Sequence, residues 1–378
     1  MTTRQSAGRT ALTGVRVFDG RQLSEPRTVV IDGPVIGTDP AGARIVDADG
    51  GVLLPGLIDA HIHLHGRDTL EQLCSWGVTT GLDMATWPPE LVSSLRGIDG
   101  LTDIRSPGIP VIGPAGPHSH FGMPADAVVP DGEAADRFVS ARVAEGADYI
   151  KIVLEAPGDG GPDPAVARAV VDAARRHGKN VVAHASSPGA YALALEAGAD
   201  IVTHVPNEDP LGDDIVARMV AGRRVAVPTL SMMQALAALR GNADAFAAAS
   251  DSVAALYRAG VPVLAGTDAA VQPGLPQLVA HGDSLHHELE LLVAAGLSTV
   301  DALRAATVLP AHHFGLGDRG AVEPGLRADL VLVDGDPLAD IRATRNIERI
   351  WCGGVEHAPA ATLGATPPLT TPDRSTSA

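Results

Sequence analysis

Between residues 56 and 266 the chain repeats one pattern: a short apolar run of β character, then an Ala-, Leu- and Val-rich stretch of helical period. Eight such runs fall at 57–63, 78–84, 109–112, 149–154, 180–184, 200–204, 225–230 and 261–266. A strand that rejoins its sheet through a helix does so in parallel, so repeated βα units predict parallel strands covered by helices. Eight of them spread over residues 56–317 predict an α/β fold of the (β/α)8 TIM-barrel type.

The ends read differently. Residues 1–55 hold short alternating β segments at 11–18, 28–31 and 43–46, and strand-like sequence returns at 328–333 and 347–352. Neither end has enough residues for a stable sheet, so the two are expected to pair as one small discontinuous β-sandwich domain, residues 1–55 with 318–360. Deleting either end is then expected to destabilise the whole. Residues 361–378, with Pro367, Pro368 and Pro372 among Thr and Ser, are expected to form a flexible tail.

Composition excludes several functions. With 28 basic against 45 acidic residues the net charge is −17, a field that repels phosphate backbones, so nucleic acid is not an expected partner. Gly, Pro and charges interrupt every hydrophobic stretch well short of a membrane span, and no membrane partner is expected. Residues 1–14 are polar, carry Arg4 and Arg9 and lead into no apolar run of signal-peptide length, which points to the cytoplasm. Cys74 and Cys352 stand far apart in sequence and predict neither a disulfide framework nor a thiolate metal site.

The chemistry concentrates in Asp59-Ala60-His61-Ile62-His63-Leu64-His65. With a side-chain period of two, Asp59, His61, His63 and His65 would share one face of a strand, and Ile58, Ile62 and Leu64 the other. Two histidines at i and i+2 either converge on a metal ion or form a hydrogen-bonded core pair. His184, His204 and Asp268 each end or follow a predicted strand, at the edge where barrel enzymes place their chemistry. Together these residues exceed what one tetrahedral zinc needs and suit two ions sharing a bridge. Lys151 is a candidate bridge. Only two of the 28 basic residues are lysines; Lys179 follows a predicted helix, but Lys151 sits inside an apolar strand. An ammonium beside two cations would be opposed by both desolvation and repulsion. A neutral amine can instead add carbon dioxide and become an anionic carbamate able to span two ions; the alternative is a snorkelling or ion-paired lysine.

With these residues in place the chain resembles the amidohydrolase superfamily. The resemblance rests on Pro55-Gly56-Leu57-Ile58-Asp59-Ala60-His61-Ile62-His63, the fourth-strand lysine, the fifth- and sixth-strand histidines, Gly266-Thr267-Asp268, and Glu323-Pro324-Gly325-Leu326-Arg327-Ala328-Asp329. It is nearest the prolidase-like and imidazolonepropionase-like group, through Asp148-Tyr149-Ile150-Lys151-Ile152, Pro228-Thr229-Leu230 and residues 282–295. The resemblance implies that His61, His63 and Asp268 bind one divalent ion, His184 and His204 a second, zinc being the expected metal, and that carbamylated Lys151 bridges them. It further implies attack by a bridging hydroxide, with Asp268 moving the proton to the leaving group. His118, His120 and His281 are substrate-contact candidates, while Asp59 and His65 are candidates for orienting the ligands. His312 and His313 are expected to pack or face solvent.

The expected activity is a binuclear metal-dependent hydrolase acting on an amide, lactam or related carbonyl bond of a small molecule. Two alternatives stand beside it: a non-hydrolytic metal enzyme of the same fold, by dehydrative cyclisation or decarboxylation, and a non-catalytic interaction protein. A homo-oligomer is compatible with the sequence. Trp87, Phe121, Met123, Met232 and Met233 either line an apolar pocket or pack between strands and loops. Ser186 and Ser187 stand where prolidase-like relatives show an aromatic, which counts against a dipeptidase, and Val205 replaces a glycine. Gly315-Leu316-Gly317-Asp318-Arg319-Gly320 follows a helix, which removes the dinucleotide context; His287-Glu288-Leu289-Glu290-Leu291 lacks the second histidine of a zincin motif. No GxSxG elbow occurs.

Overall fold

The computed structural model describes residues 8–271 and 277–360, so the tail expected at 361–378 lies outside the described residues. Five strands come first: β1 (Thr10–Val17), β2 (Arg27–Asp32), β3 (Val35–Gly37), β4 (Arg44–Asp47) and β5 (Val52–Pro55). Strands and helices then alternate as β6 (Leu57–Ile62), α1 (Arg67–Ser75), β7 (Val78–Asp83), α2 (Pro89–Leu95), β8 (Asp103–Arg105), α3 (Gly132–Ala144), β9 (Ile150–Val153), α4 (Pro164–Arg176), β10 (Val181–His184), α5 (Pro188–Ala197), β11 (Ile201–Thr203), α6 (Asp213–Ala221) and β12 (Val225–Val227). Five helices follow, α7 (Leu230–Leu239), α8 (Phe246–Arg258), α9 (Asp283–Ala294), α10 (Thr299–Ala305) and α11 (Val308–His313). The chain returns to strands in β13 (Leu330–Val333), β14 (Ile347–Cys352) and β15 (Val355–His357). Among the described residues no helix is long and apolar enough to cross a membrane.

The two ends of the chain share one sheet, ordered β15-β14-β13-β5-β1-β2-β3 with β4 on β1. The seam is β5 with β13, antiparallel from Leu330 opposite Pro55 to Val333 opposite Val52. Its period-two pattern separates two cores. Leu53, Leu330 and Leu332 pack with Leu12, Ile31 and Trp351 on one face. Val52, Leu54, Val331 and Val333 face the main core on the other, so a continuous apolar run is required here in place of alternation.

The remaining strands pair in parallel: β6 with β7 and β7 with β8, and β9 through β12 in order. Isolated parallel bridges join Val111 to Ile152, Ala226 to Val263 and Ile62 to Ala269. The third run differs from the expected 109–112. Its strand with β7 is β8, at 103–105, and only Val111 reaches β9, because Pro107 and Pro110 lack the N–H a continuous ladder needs. At 261–266 no full strand forms, but the segment is held on both sides by Leu264 N–H to Ala226 O and Ala60 N–H to Ala265 O, each 2.9 Å.

Alternation sorts these strands too. Ile150, Ile152, Val181, Ala183, Val202, Ala226 and Val263 face the helices, while Tyr149, Val182, Ile201, Val225, Val227 and Leu264 form an inner cluster. Lys151 and His184 share the inner parity. β6 departs from simple alternation: its register shifts between Asp59 and Ile62, placing Ile58 in the inner cluster and Ile62 in the outer one, although one apolar face was expected to hold both. The helices carry their own signals. In α4, Asp163 accepts from Ala165 N–H and Pro164 opens the helix; in α5, Ser187 accepts from Ala190 N–H and Gly198 closes it at φ +89°.

Candidate metal centre

His61 lies in β6 and His63 just after it, His184 ends β10 and His204 follows β11, while Lys151 lies inside β9 and Asp268 follows the strandless segment at 261–266. Asp268 is held by backbone, its N–H donating to His61 O at 2.8 Å, while His63 N–H donates to Ala269 O at 2.9 Å. His204 and Asp268 adopt left-handed backbone, φ +72° and +59°, unusual for residues other than glycine. Tyr191 donates its hydroxyl to the His204 carbonyl at 2.5 Å, fixing that turn.

The side chains converge on Asp268. His61 Nε2 lies 3.2 Å and His63 Nε2 3.1 Å from Asp268 Oδ1, and His204 Nδ1 is 3.8 Å from Oδ2. Ring centroids separate His61 from His204 by 4.8 Å, His204 from His184 by 4.3 Å, and His184 from His118 by 4.7 Å, a continuous chain of imidazoles. The ligand atoms of His61, His204 and Asp268 all lie within 4.8 Å of one another, as do those of His118, Glu155 and His184. Lys151 is buried, and its Nζ donates to Thr203 Oγ1 at 3.0 Å; it forms no ion pair among the described residues.

Burial shapes the charges. It lowers the His61 pKa to about 4 and takes His184 and His204 well below the ordinary imidazole range, keeping their lone pairs free of protons near neutrality. Burial lowers Lys151 to about 7 against the pull of Asp268 and Asp83. Burial would raise Asp268, but His61 and His63 hold its carboxyl well below the usual range. His63 is raised: burial opposes its charge, and Asp268 outweighs that.

The other predicted residues separate. His118 Nδ1 is 3.3 Å from Glu155 Oε1, beside the histidine chain. His120 is exposed and makes no hydrogen bond, ion pair or ring contact among the described residues. His281 is buried, donates from Nε2 to His63 O at 2.9 Å, and is lowered by burial to about 4. His65 Nε2 accepts from Val271 N–H at 2.7 Å. Asp59 accepts from the Thr267 hydroxyl at 2.7 Å and from the His61 and Thr267 N–H groups, with burial raising its pKa to about 7. Phe121 stands half exposed with its ring edge-on to His118, whereas Met233 is core and Trp87, Met123 and Met232 pack against the core.

Several contributors escaped the sequence reading. Thr229 Oγ1 lies 2.8 Å from His204 Nδ1, and Thr229 itself is left-handed at φ +52°. Glu288, buried in α9, accepts from Leu230 N–H at 2.9 Å and Ser231 N–H at 2.7 Å, capping the start of α7 directly beside Thr229. Asp83 accepts from Thr86 Oγ at 2.8 Å and draws on the charge of His63. Glu155, Thr203 and Asp83 stand at or next to strand ends, the one signal that could have singled them out.

The model of the Amidohydrolase family matches residues 52–356. The chain belongs to the amidohydrolase family. Adenine deaminase 2 of Desulfotalea psychrophila is 27% identical over 354 residues, covering 90% of this amidohydrolase and 55% of that protein, so the chain spans about half the length of this relative. An uncharacterized protein of Mycobacterium tuberculosis (strain H37Rv) is 28% identical over 337 residues, covering 82% of this chain and 85% of the relative. The solved structure of a candidate prolidase from Bifidobacterium longum superimposes with a TM-score of 0.79 at 26% identity, over 94% of this chain and 96% of that one. The amidohydrolase site suits divalent metal on its own geometry. His61 Nδ1 is buried with no hydrogen-bond partner among the described residues, and neutral imidazoles crowd an ionised carboxylate, an arrangement that a cation would satisfy.

Proposed function

We propose that this amidohydrolase is a binuclear metal-dependent hydrolase that cleaves an amide, lactam or related carbonyl bond of a small molecule. Its parallel strands, read with the bridges between them, would form a (β/α)8 barrel, and the sheet shared by the chain ends a separate β-sandwich domain. His61, His63 and Asp268 would hold one divalent ion, His184 and His204 the second, and Lys151 as a carbamate would bridge them, with zinc the expected metal. When bound, such ions supply Lewis acidity and a water acidified to near neutral pH. The single observation that carries the reading is the convergence of His61, His204 and Asp268 beside a buried Lys151 that forms no ion pair among the described residues.

The chain's own groups then have defined tasks. Lys151, lowered toward neutrality by burial, can present the unprotonated amine that carbamylation requires. Asp268 is ionised, so it can take a proton from the attacking water and return it to the leaving nitrogen or oxygen. His118, held through Nδ1 by Glu155, would stand beside the substrate, and Phe121 next to it offers an apolar edge.

Elemental analysis of freshly purified protein tests the site. We expect about two divalent ions per chain, falling to about one or fewer in Lys151→Ala. One ion in the wild type would replace the bridged site by a mononuclear one, and none after incubation with zinc and bicarbonate would overturn the catalytic reading. N-acyl amino acids, dipeptides, lactams, aryl esters and adenine then form the substrate panel. A product heavier than substrate by one water, or the paired fragments, marks hydrolysis; loss of water or carbon dioxide marks the non-hydrolytic alternative. On the best substrate Asp268→Asn is expected to lower kcat by about 10³-fold, and full activity in that variant would remove Asp268 from proton transfer.

A further inference from the structure

The two cysteines, distant in sequence, meet in space. Cys74 sits near the end of α1 and Cys352 ends β14, and their Sγ atoms are 2.8 Å apart, both thiols free and buried among Ile347 and Ile350. Their sequence separation, from which neither a disulfide framework nor a thiolate metal site was expected, does not keep them apart in space: α1 packs against the sheet built by the chain ends, and that packing brings the two free thiols together. His357 of β15 stands alongside, its ligand atom within 4.8 Å of both sulfurs, with Nε2 buried and unpartnered among the described residues.

We propose that Cys74 and Cys352 are a disulfide-forming pair that covalently ties the parallel-strand region to the sheet of the chain ends. Two thiolates on one tetrahedral zinc, at Zn–S distances of about 2.3 Å, stand roughly 3.8 Å apart, so the observed separation lies nearer to a sulfur–sulfur bond than to a shared ion. Among the described residues only His357 joins the two sulfurs, one donor short of a closed tetrahedral protein site. The nearby Asp329 carboxylate is already taken by Arg327 Nε at 2.8 Å and Gly353 N–H at 2.7 Å. The Cys74 thiol is pulled down, first by its hydrogen bond with Cys352 and also by His357, while burial pushes Cys352 up, which makes Cys74 the attacking sulfur. Because Cys74 is buried, attack follows local opening at the end of α1.

The oxidant class is a small-molecule disulfide, with oxidised glutathione as the probe. Cys74 thiolate attacks one glutathione sulfur and expels a glutathione thiolate. Cys352, on losing its proton, attacks the Cys74 sulfur of the mixed disulfide and expels the second. Two cysteine thiols and one oxidised glutathione thus become one intramolecular disulfide and two reduced glutathiones.

The test uses the full chain, reduced with a phosphine, desalted, exposed to oxidised glutathione, then unfolded with EDTA and iodoacetamide present and weighed. A chain lighter by two hydrogen atoms than the reduced form, carrying no alkyl group and yielding a linked peptide of Cys74 and Cys352, supports the proposal. The Cys352→Ser variant should instead keep one alkylatable or glutathionylated sulfur. Two alkylated cysteines in the wild type, a glutathione adduct that does not resolve, or a disulfide between two chains would overturn it. So would thiols in the folded protein that react with iodoacetamide only after EDTA is added, the behaviour of a thiolate-bound metal.

Discussion

Thr229 illustrates how this site is held. A β-branched residue at φ +52° is strained, and it persists because both sides of it are tied: its hydroxyl meets His204 Nδ1, and the two N–H groups after it are gripped by Glu288. Thr229→Val keeps the shape and removes the oxygen that fixes the imidazole. We expect metal affinity at the site to fall about 10–100-fold with the fold intact, measured by chelator competition alongside circular dichroism. Glu288 also predicts a pH effect. Burial raises its folded-state pKa from 4.5 to about 7, so the folded protein retains a proton that the unfolded chain has released. That stabilising contribution is present below 4.5 and is lost as pH rises through about 7, on the order of 3 kcal/mol in all. Urea unfolding of the metal-free protein should show a shallower decline between about pH 5 and pH 8 in Glu288→Gln than in the wild type. None of this was legible in the sequence. Glu288 lies in a helix far along the chain, and its partners are backbone groups that every residue type carries.

At the scale of elements, the strand ends were largely legible, because histidine, lysine and aspartate inside or just after apolar runs conflict with burial unless they share a task. The exact course of each strand was less so. β6 bulges between Asp59 and Ile62, and Pro107 and Pro110 split the third run, both decided by neighbours. The last crossing is tight. A Cβ on Gly266 would stand 2.5 Å from Val227 Cγ1 and 2.9 Å from the backbone nitrogen of His61. Gly266→Ala must displace the strand that carries the proposed ligand His61, so we expect a loss of about 1–3 kcal/mol in unfolding free energy together with reduced metal content. Unaltered stability and metal content would show that the crossing has slack.

For the whole molecule, Arg319 is a buried polar tie between the two regions. It is buried, and its Nη1 reaches Asp103 Oδ2 at 2.8 Å and Thr80 Oγ1 at 2.9 Å while Asp318 and Asp329 approach it from the side of the end sheet. Removing one member of a buried charge network leaves the others uncompensated, so Arg319→Ala is expected to cost about 3–5 kcal/mol in urea unfolding, far more than an exposed pair such as Arg67 with Glu71. The sequence reading placed Arg319 only in a declined glycine-rich motif. The tie depends on residues from four separate stretches of chain, and no local pattern announces it.

What the sequence determined by itself follows from local physics. Apolar periodicity separated strands from helices, six of the eight runs fall on parallel strands in the expected order, and ionisable residues in or just after apolar runs marked the candidate site, since burial makes such residues costly unless partnered. The pairing of the two ends was inferable because neither carries enough residues for a stable sheet domain on its own. The tertiary structure decided what distance along the chain conceals: the left-handed turns at His204, Thr229 and Asp268, the grip of Glu288 on α7, and the meeting of Cys74 with Cys352. Those features are contacts between segments brought together only when the whole chain packs, and backbone strain at a site is tolerated only where such contacts hold it in place.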